Sequence, residues 1–368
     1  MRLAARKQCA GIALAVVMIA VFVLTMLVAA FAYQMKVEMK LAQNADSETE
    51  LLWLGRSGVD YCRWILAQSE ACPGSQAYDS LDQVWAGGGG GPCSSNSALM
   101  EVQKTVTLGR GSFTWQMEDL ERKFNINTAN EDVMRQAFHL IGVDPGEAEG
   151  ITSSILDWID KDNNQHIGGK ESDYYEGMDP PYYAKNRPID DLSELLLVDG
   201  VTPDIFWGGV ATNHLPASFQ RELQRGRVMD MPYFPVGLND LFTPLSGARI
   251  NINTANATQL QMVPGIDEVI AGSIIGLRQG GQEGMGPSPA GSPVFPRVED
   301  LLVNAGMNPQ QATFSARFLE RRSLTFKATV TAQIGNYSRT YVAYLGRDAR
   351  GSRNVAILSF YWTQPGED

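Results

Sequence analysis

Histidine and cysteine are scarce in this chain of 368 residues, with three of the first and four of the second. They are too few and too scattered to write a zinc site of paired CxxC type, so any metal chemistry falls to oxygen ligands. Positive charge is also in deficit: 30 Lys and Arg stand against 41 Asp and Glu, a net charge of −11. That field repels a polyanion, and a general grip on DNA, which works by displacing counterions, starts at a disadvantage. Neither G-x-S-x-G nor HExxH is present, and His139, His166 and His214 stand in unrelated contexts, so an enzyme is the weaker class. Glycine and proline are missing from Ile12 to Leu54. What is plentiful is apolar material: 44% of the residues are hydrophobic, enough for two or three packed domains.

The first eleven residues carry Arg2, Arg6 and Lys7, and "IALAVVMIAVFVLTMLVAAFAY" then runs for about 22 residues with no charge. Such a segment spans a bilayer as a helix, with its basic flank on the cytoplasmic side and the rest of the chain beyond it. A cleaved signal peptide ending at "AFA", Ala30 to Ala32, competes with this reading, but the apolar run exceeds the roughly 7 to 15 residues such signals use. The helix also does not stop at the membrane. Leu41, Leu51, Leu52, Leu54, Val59, Ile65 and Leu66 continue at helical spacing, so one helix from Ile12 to about Gln68 is predicted, roughly 85 Å long.

A short basic leader ending in Gly11, followed by an apolar helix that is both anchor and stem, resembles a type IV prepilin or pseudopilin. The resemblance implies cleavage by the prepilin peptidase between Gly11 and Ile12. The fifth mature position, usually Glu in major subunits, is Val16. In this the chain resembles the GspK-type minor pseudopilin of type II secretion, implied to lie at the fibre tip. A subunit with no neighbour above it has no use for a buried carboxylate, which is costly when unpaired.

Beyond the stem, "GGGGGPCSSNS" at 87 to 97 reads as a flexible loop. Cys72 and Cys93 flank the segment leading into it, and in an oxidising compartment they could close a loop worth about 3 kcal/mol. Cys62 on the stem reads as a small buried residue, and the spacing alone does not choose among the three pairings. "EVQKTVTL" at 101 to 108 and "SFTWQMEDL" at 112 to 120 form a predicted hairpin, and three more alternating strands follow after 322. Together they make one antiparallel sheet of about five strands against the stem. The helical block between them is then an insertion into a pilin-like α+β domain, as the GspK resemblance also implies.

The chain writes one phrase twice, "FNINTAN" at 124 to 130 and "ININTAN" at 250 to 256. Each copy ends on an Asn at a helix N-cap position, Asn130 or Asn256, with Gln259 at the capping-box position of the second. Each then reaches a turn glycine, Gly142 or Gly265, and a small Ala148 or Ala271 that lets a second helix pack close. This is a helix-hairpin-helix pattern. Its DNA-binding use would aim backbone N–H groups at a phosphate, but Asp144, Glu147, Glu149, Asp267 and Glu268 crowd these turns. Two packing units are therefore expected, with Asn125, Asn127, Asn251 and Asn253 tying turns together.

Between the copies, "DWIDKDNNQHIGGKESDYY" places Asp160, Asp162, Asn164, His166 and Glu171 at positions 1, 3, 5, 7 and 12 of an EF-hand loop, the seventh giving a backbone carbonyl. Gln165 stands where the sharp turn wants Gly, so a different bend is expected, with Asp173 as a replacement ligand. Ca2+ is the expected ion, because oxygen ligands this dense repel one another without a cation. The GspK resemblance points the same way, and Asp179, Asp190 and Asp191 are candidates to complete the site or form a second.

The organisation expected is a leader over 1–11, a membrane and stem helix over 12–70, a pilin-like domain over 71–123 and 323–368, and an inserted α-helical domain over 124–322. The resemblance implies a single-pass inner-membrane protein with its C-terminal part in the periplasm. It implies minor pseudopilins, the major pseudopilin and the prepilin peptidase as partners, and no nucleic acid. The competing reading is a type IV pilus minor subunit or DNA-uptake protein using its helical hairpins.

Overall fold

The computed structural model describes residues 10–72, 78–89, 93, 97–209, 234–278, 297–348 and 353–363. The leader residues 1–9, His214 and most of the glycine-rich loop lie outside these, and the cleavage pair Gly11 and Ile12 is described only as helical backbone.

One helix runs from Ala10 to Glu70. Its apolar half, from Leu14 onward, is exposed along its whole circumference and is long and apolar enough to cross a membrane. The second half is amphipathic, burying Leu51, Leu54, Val59, Cys62, Ile65 and Leu66. Gly55 and Gly58 lie within this half, and a Cβ on either would overlap the Tyr341 ring or the Val330 side chain. Close approach of helix to sheet therefore accounts for both glycines in a stretch otherwise rich in helix formers. Past the helix end Cys72 is joined to Cys93 in a disulfide, with Cα atoms 5.4 Å apart, while Cys62 is free and buried.

The sheet against this helix has five antiparallel strands in the order β1-β2-β7-β8-β9. They are β1 (Thr105–Leu108), β2 (Gly111–Asp119), β7 (Thr325–Ile334), β8 (Tyr337–Arg347) and β9 (Val355–Thr363). Alternation sends Phe113, Trp115 and Met117 of β2 and Phe326, Ala328 and Val330 of β7 inward onto the stem. The first strand is shorter than its sequence suggests. The buried ring of Trp115 donates from Nε1 to Gln103 O at 2.8 Å, and Gln103 N donates to Tyr61 OH at 3.3 Å, so the backbone of Gln103 serves side chains instead of the ladder.

β2 and β7 are direct neighbours, with Asp119 opposite Phe326. The chain leaves the sheet after β2 and returns some 200 residues later beside the strand it left. The described residues between them pack around their own core, from Phe124 to Leu319. The two copies of the repeated phrase enter this domain alike. Each begins with a two-residue parallel bridge: β3 (Phe124–Asn125) pairs with β4 (Phe242–Thr243), and β5 (Ile250–Asn251) with β6 (Leu319–Glu320). A helical hairpin follows each, Glu131–Ile141 with Pro145–Ile159 and Ala257–Gln261 with Glu268–Arg278. The turn glycines Gly142 and Gly265 have φ of 93° and 89°, the left-handed conformation that a side chain would oppose. Gln136 of the first hairpin donates to Gln261 O of the second at 3.0 Å, joining the two.

Candidate functional site

The asparagines of the phrase share a local role and differ in their distant one. Asn125 and Asn251 each accept from the N–H two residues on at 2.9 Å, an Asx turn. Asn130 and Asn256 each cap a helix, accepting from Val133 N at 3.0 Å and Gln259 N at 2.8 Å, and Gln259 completes the box on Asn256 N. In the first copy, Asn127 brackets Ile189, donating to its carbonyl at 3.0 Å and accepting its N–H at 2.7 Å. These contacts stay inside the inserted domain. In the second, Asn251 is fully buried, and its amide donates to Ser323 Oγ at 2.7 Å and to Asp79 O and Asp119 Oδ2 at 3.2 Å. Those partners belong to the loop after the stem, the end of β2 and the connection into β7. The second copy therefore fastens the inserted domain to the pilin-like one.

The hairpin turns are poorly placed for a phosphate. Gly265 lies under Ser315, whose hydroxyl donates to Pro264 O at 2.7 Å, and a Cβ on Gly265 would come within 2.9 Å of that hydroxyl. The first turn is open, but Asp144 caps its second helix and an acidic residue, Glu147, follows in the first helical turn.

The acidic loop hangs between the first hairpin and a short helix at Ser172–Tyr175. Asp157, Asp160 and His166 are drawn together so that one ligand atom from each lies within 4.8 Å of the others. Asp157, outside the EF-hand count, is fully buried and accepts from His166 N at 3.0 Å as well as meeting its Nδ1. Burial, then the charges of Asp162 and Asp157, raises the Asp160 carboxyl. Burial, then Asp157 and Asp160, likewise raises Glu171, and His166 is raised chiefly by its hydrogen bond to Asp157. Asp162 accepts Asn164 N at 2.9 Å, Asn164 is exposed, and Asp173 opens the short helix, exposed.

The remaining acidic candidates have other duties. Asp190 is held by Lys185 at 2.7 Å, Asp191 caps Ser193 N, and Asp179 is exposed. Asp190 and Asp191 face a cleft of about 1020 Å³ between the inserted domain and the outer face of the sheet. Asp240, also on the cleft, accepts Gly237 N at 3.1 Å, so each of the three is committed locally.

Whether the loop residues suit a hard cation can be tested on their oxygens. Asp157 Oδ2, Asp160 Oδ1 and both carboxylate oxygens of Glu171 are buried with no hydrogen-bond partner. Buried carboxylate oxygens are ordinarily satisfied, and the charges here are of one sign. A donor set dominated by oxygen fits Ca2+.

A long apolar stem helix, an antiparallel sheet laid on it and a helical domain inserted between two neighbouring strands define a pilin-like α+β protein of pseudopilin type. Comparison with known proteins narrows the class. Residues 116–207 match the family model for type II secretion system (T2SS) protein K, and residues 246–283 match the helix-hairpin-helix motif. Type II secretion system protein K of Pectobacterium carotovorum subsp. carotovorum is 32% identical over 111 residues, 26% of this chain and 34% of that protein. The Aeromonas hydrophila protein of the same name is 24% identical over 220 residues, covering 55% of this chain and 61% of the other. The chain thus spans between about a third and 61% of the length of these relatives. A chain in the crystal structure of the GspK-GspI-GspJ complex from enterotoxigenic Escherichia coli superposes with a TM-score of 0.60 at 18% identity, covering 88% of this chain and 99% of that one, a likeness of fold. Over the matched residues the chain is similar to type II secretion system protein K, and these matches support a pseudopilin of that type.

Proposed function

We propose that the protein is a minor pseudopilin that caps the tip of a short periplasmic pseudopilus and helps initiate its assembly for protein export. The observation that carries this reading is the insertion of a whole domain between β2 and β7. A side domain of that width does not stack within a regular fibre, whereas at the end it has room. The apolar half of the stem anchors the chain once in the inner membrane, with the folded part in the periplasm, after the prepilin peptidase has cut between Gly11 and Ile12. Val16 in place of the usual carboxylate suits a subunit with none above it. The role is assembly and the transmission of piston-like motion.

The expected partners are other minor pseudopilins and, below them, the major pseudopilin. The fold likeness to a GspK solved with GspI and GspJ supports the first. Trp53 stands 64% exposed on the folded half of the stem, where a neighbouring stem would lie. A photo-crosslinking residue at Trp53 in secreting cells should capture another pseudopilin. Secretion that continues with no such product would contradict the reading, and so would a mature protein beginning at Tyr33 instead of Ile12. Salt-sensitive binding of DNA by the whole chain would favour the DNA-uptake alternative.

Calcium is part of the proposal. Asp157, Asp160 and Glu171 would hold the ion, with Asp162, Asn164, Asp173 and the His166 carbonyl as further candidates. Bound there, it would neutralise buried like charges and stiffen the inserted domain. Calcium-dependent thermal stabilisation, reversed by a chelator, is the expected result.

A further inference from the structure

Both connections into the inserted domain pass through one buried polar knot. Asp119 closes β2, Glu121 follows it, and the returning chain brings Glu320, Arg322 and Ser323. Asp119 Oδ2 accepts from Ser323 Oγ at 2.6 Å, from Thr254 Oγ1 and from Asn251, and Oδ1 accepts Glu121 N at 2.9 Å. Glu121 Oε2 accepts Thr325 N at 3.0 Å, but Oε1 is buried with no partner. The stem contributes Glu70, bound to Arg322 at 2.9 Å, and the loop after it contributes Asp79, which holds Ser323 N at 2.9 Å and Arg347 of β8 at 2.7 Å. Arg249, ahead of β5, faces Glu320.

Five carboxyl groups therefore meet three guanidinium groups. Glu70, Asp79, Asp119 and Glu121 are each no more than 2% exposed, so water does little to dilute the excess. Asp79 and Glu70 have arginines, and Asp119 has four donors. Glu121 draws on the backbone N–H groups of Thr325 and Leu324, yet it keeps a bare oxygen and has the Asp119 carboxyl beside it. A proton is the one thing that would relieve this group without moving it.

We propose that Glu121 carries a proton when the two domains are joined, and that this makes the junction a pH-sensitive clamp which holds in acid and loosens as the medium turns alkaline. Burial first and the Asp119 charge second push Glu121 well above the ordinary carboxylate range. Asp119 is raised too, chiefly by burial, against the pull of Ser323 and Thr254. Burial pushes Glu320 up to about 7. A carboxyl that holds its proton more tightly when buried than when freed strengthens the join below its free pKa. That contribution is lost as pH rises through the elevated one. All three shifts act in the same direction. Once ionised, Glu121 would repel Asp119, and the cheapest relief is to part the strands 119–124 and 319–325. The fold of neither domain need change, only the hold between them. The clamp concerns this chain's own junction and stands whether or not the tip assignment does.

Hydrogen–deuterium exchange on the full chain in detergent micelles tests this, with opening constants corrected for intrinsic rates. Between about pH 6 and about pH 9, peptides covering 117–125 and 319–327 should lose protection about tenfold or more, since each unit of pKa elevation is a factor of ten. Peptides within 131–159 should change less than about twofold over the same range. Glu121→Gln keeps the shape and the Thr325 contact without that titration, and should shrink the response, leaving the smaller part due to Glu320 and Asp119, while staying better protected than the native protein at about pH 9. An equal response in native protein and variant would overturn the proposal, as would a variant already loose at about pH 6, which would mean that the charge holds the join. Should the variant not fold, the native protein decides alone: no change in junction protection across the range overturns the proposal.

Discussion

The two copies of "NINTAN" make a controlled comparison within one chain. Both begin on a two-residue parallel bridge, turn on an Asx asparagine and end on an N-cap. The first spends its middle asparagine on Ile189, 62 residues away in the same domain. The second sends its leading asparagine into the junction, to partners in three other parts of the chain. The phrase is thus a local device for starting a hairpin, and its global meaning depends on where the hairpin sits. An identical motif with a buried amide at a domain boundary becomes a fastener.

This difference can be broken experimentally. The largest effect is expected from Asn251→Ala, which strips Asp119 and Ser323 of a buried donor and should cost about 3 kcal/mol. Urea unfolding in micelles would read it, and a loss under about 1 kcal/mol would dissolve the contrast between the copies. Asn127→Ala should cost about 2 kcal/mol, because both hydrogen bonds to Ile189 go but the site is partly open to water. Chelation should act on the first hairpin's side: if calcium is held at about 100 times its Kd, removing it forfeits about 2.7 kcal/mol. The protection lost on chelation should map to 145–175 and leave 250–278 unchanged. The smallest effects test the sameness of the copies. Asn130→Ala and Asn256→Ala each remove an N-cap, and each should cost about 1 kcal/mol.

Much of the scaffold was legible because it follows period. The stem, both hairpins and the five-strand sheet each repeat an apolar pattern over many residues, and glycines at 142 and 265 mark turns that need positive φ. The bridges at 124–125 and 250–251 were not legible, since two residues carry no period and their partners lie about 70 to 120 positions away. The acidic loop was half legible. Asp160 and His166 come together, but Asp157 reads from sequence as one more helical residue. Its signal was its place: an Asp three residues, about one helical turn, before the first loop position shares that face. The family resemblance of its segment makes Asp190 a candidate ligand, but Lys185, five residues upstream, holds its carboxylate.

The second copy fastens two domains that each have their own core. Scanning calorimetry of Asn251→Ala, beside the native protein and Asn127→Ala, tests this fastening most directly. One cooperative transition is expected for the native chain and for Asn127→Ala, and two separated transitions once Asn251 is gone. A single transition in Asn251→Ala, shifted no further than in Asn127→Ala, would contradict it.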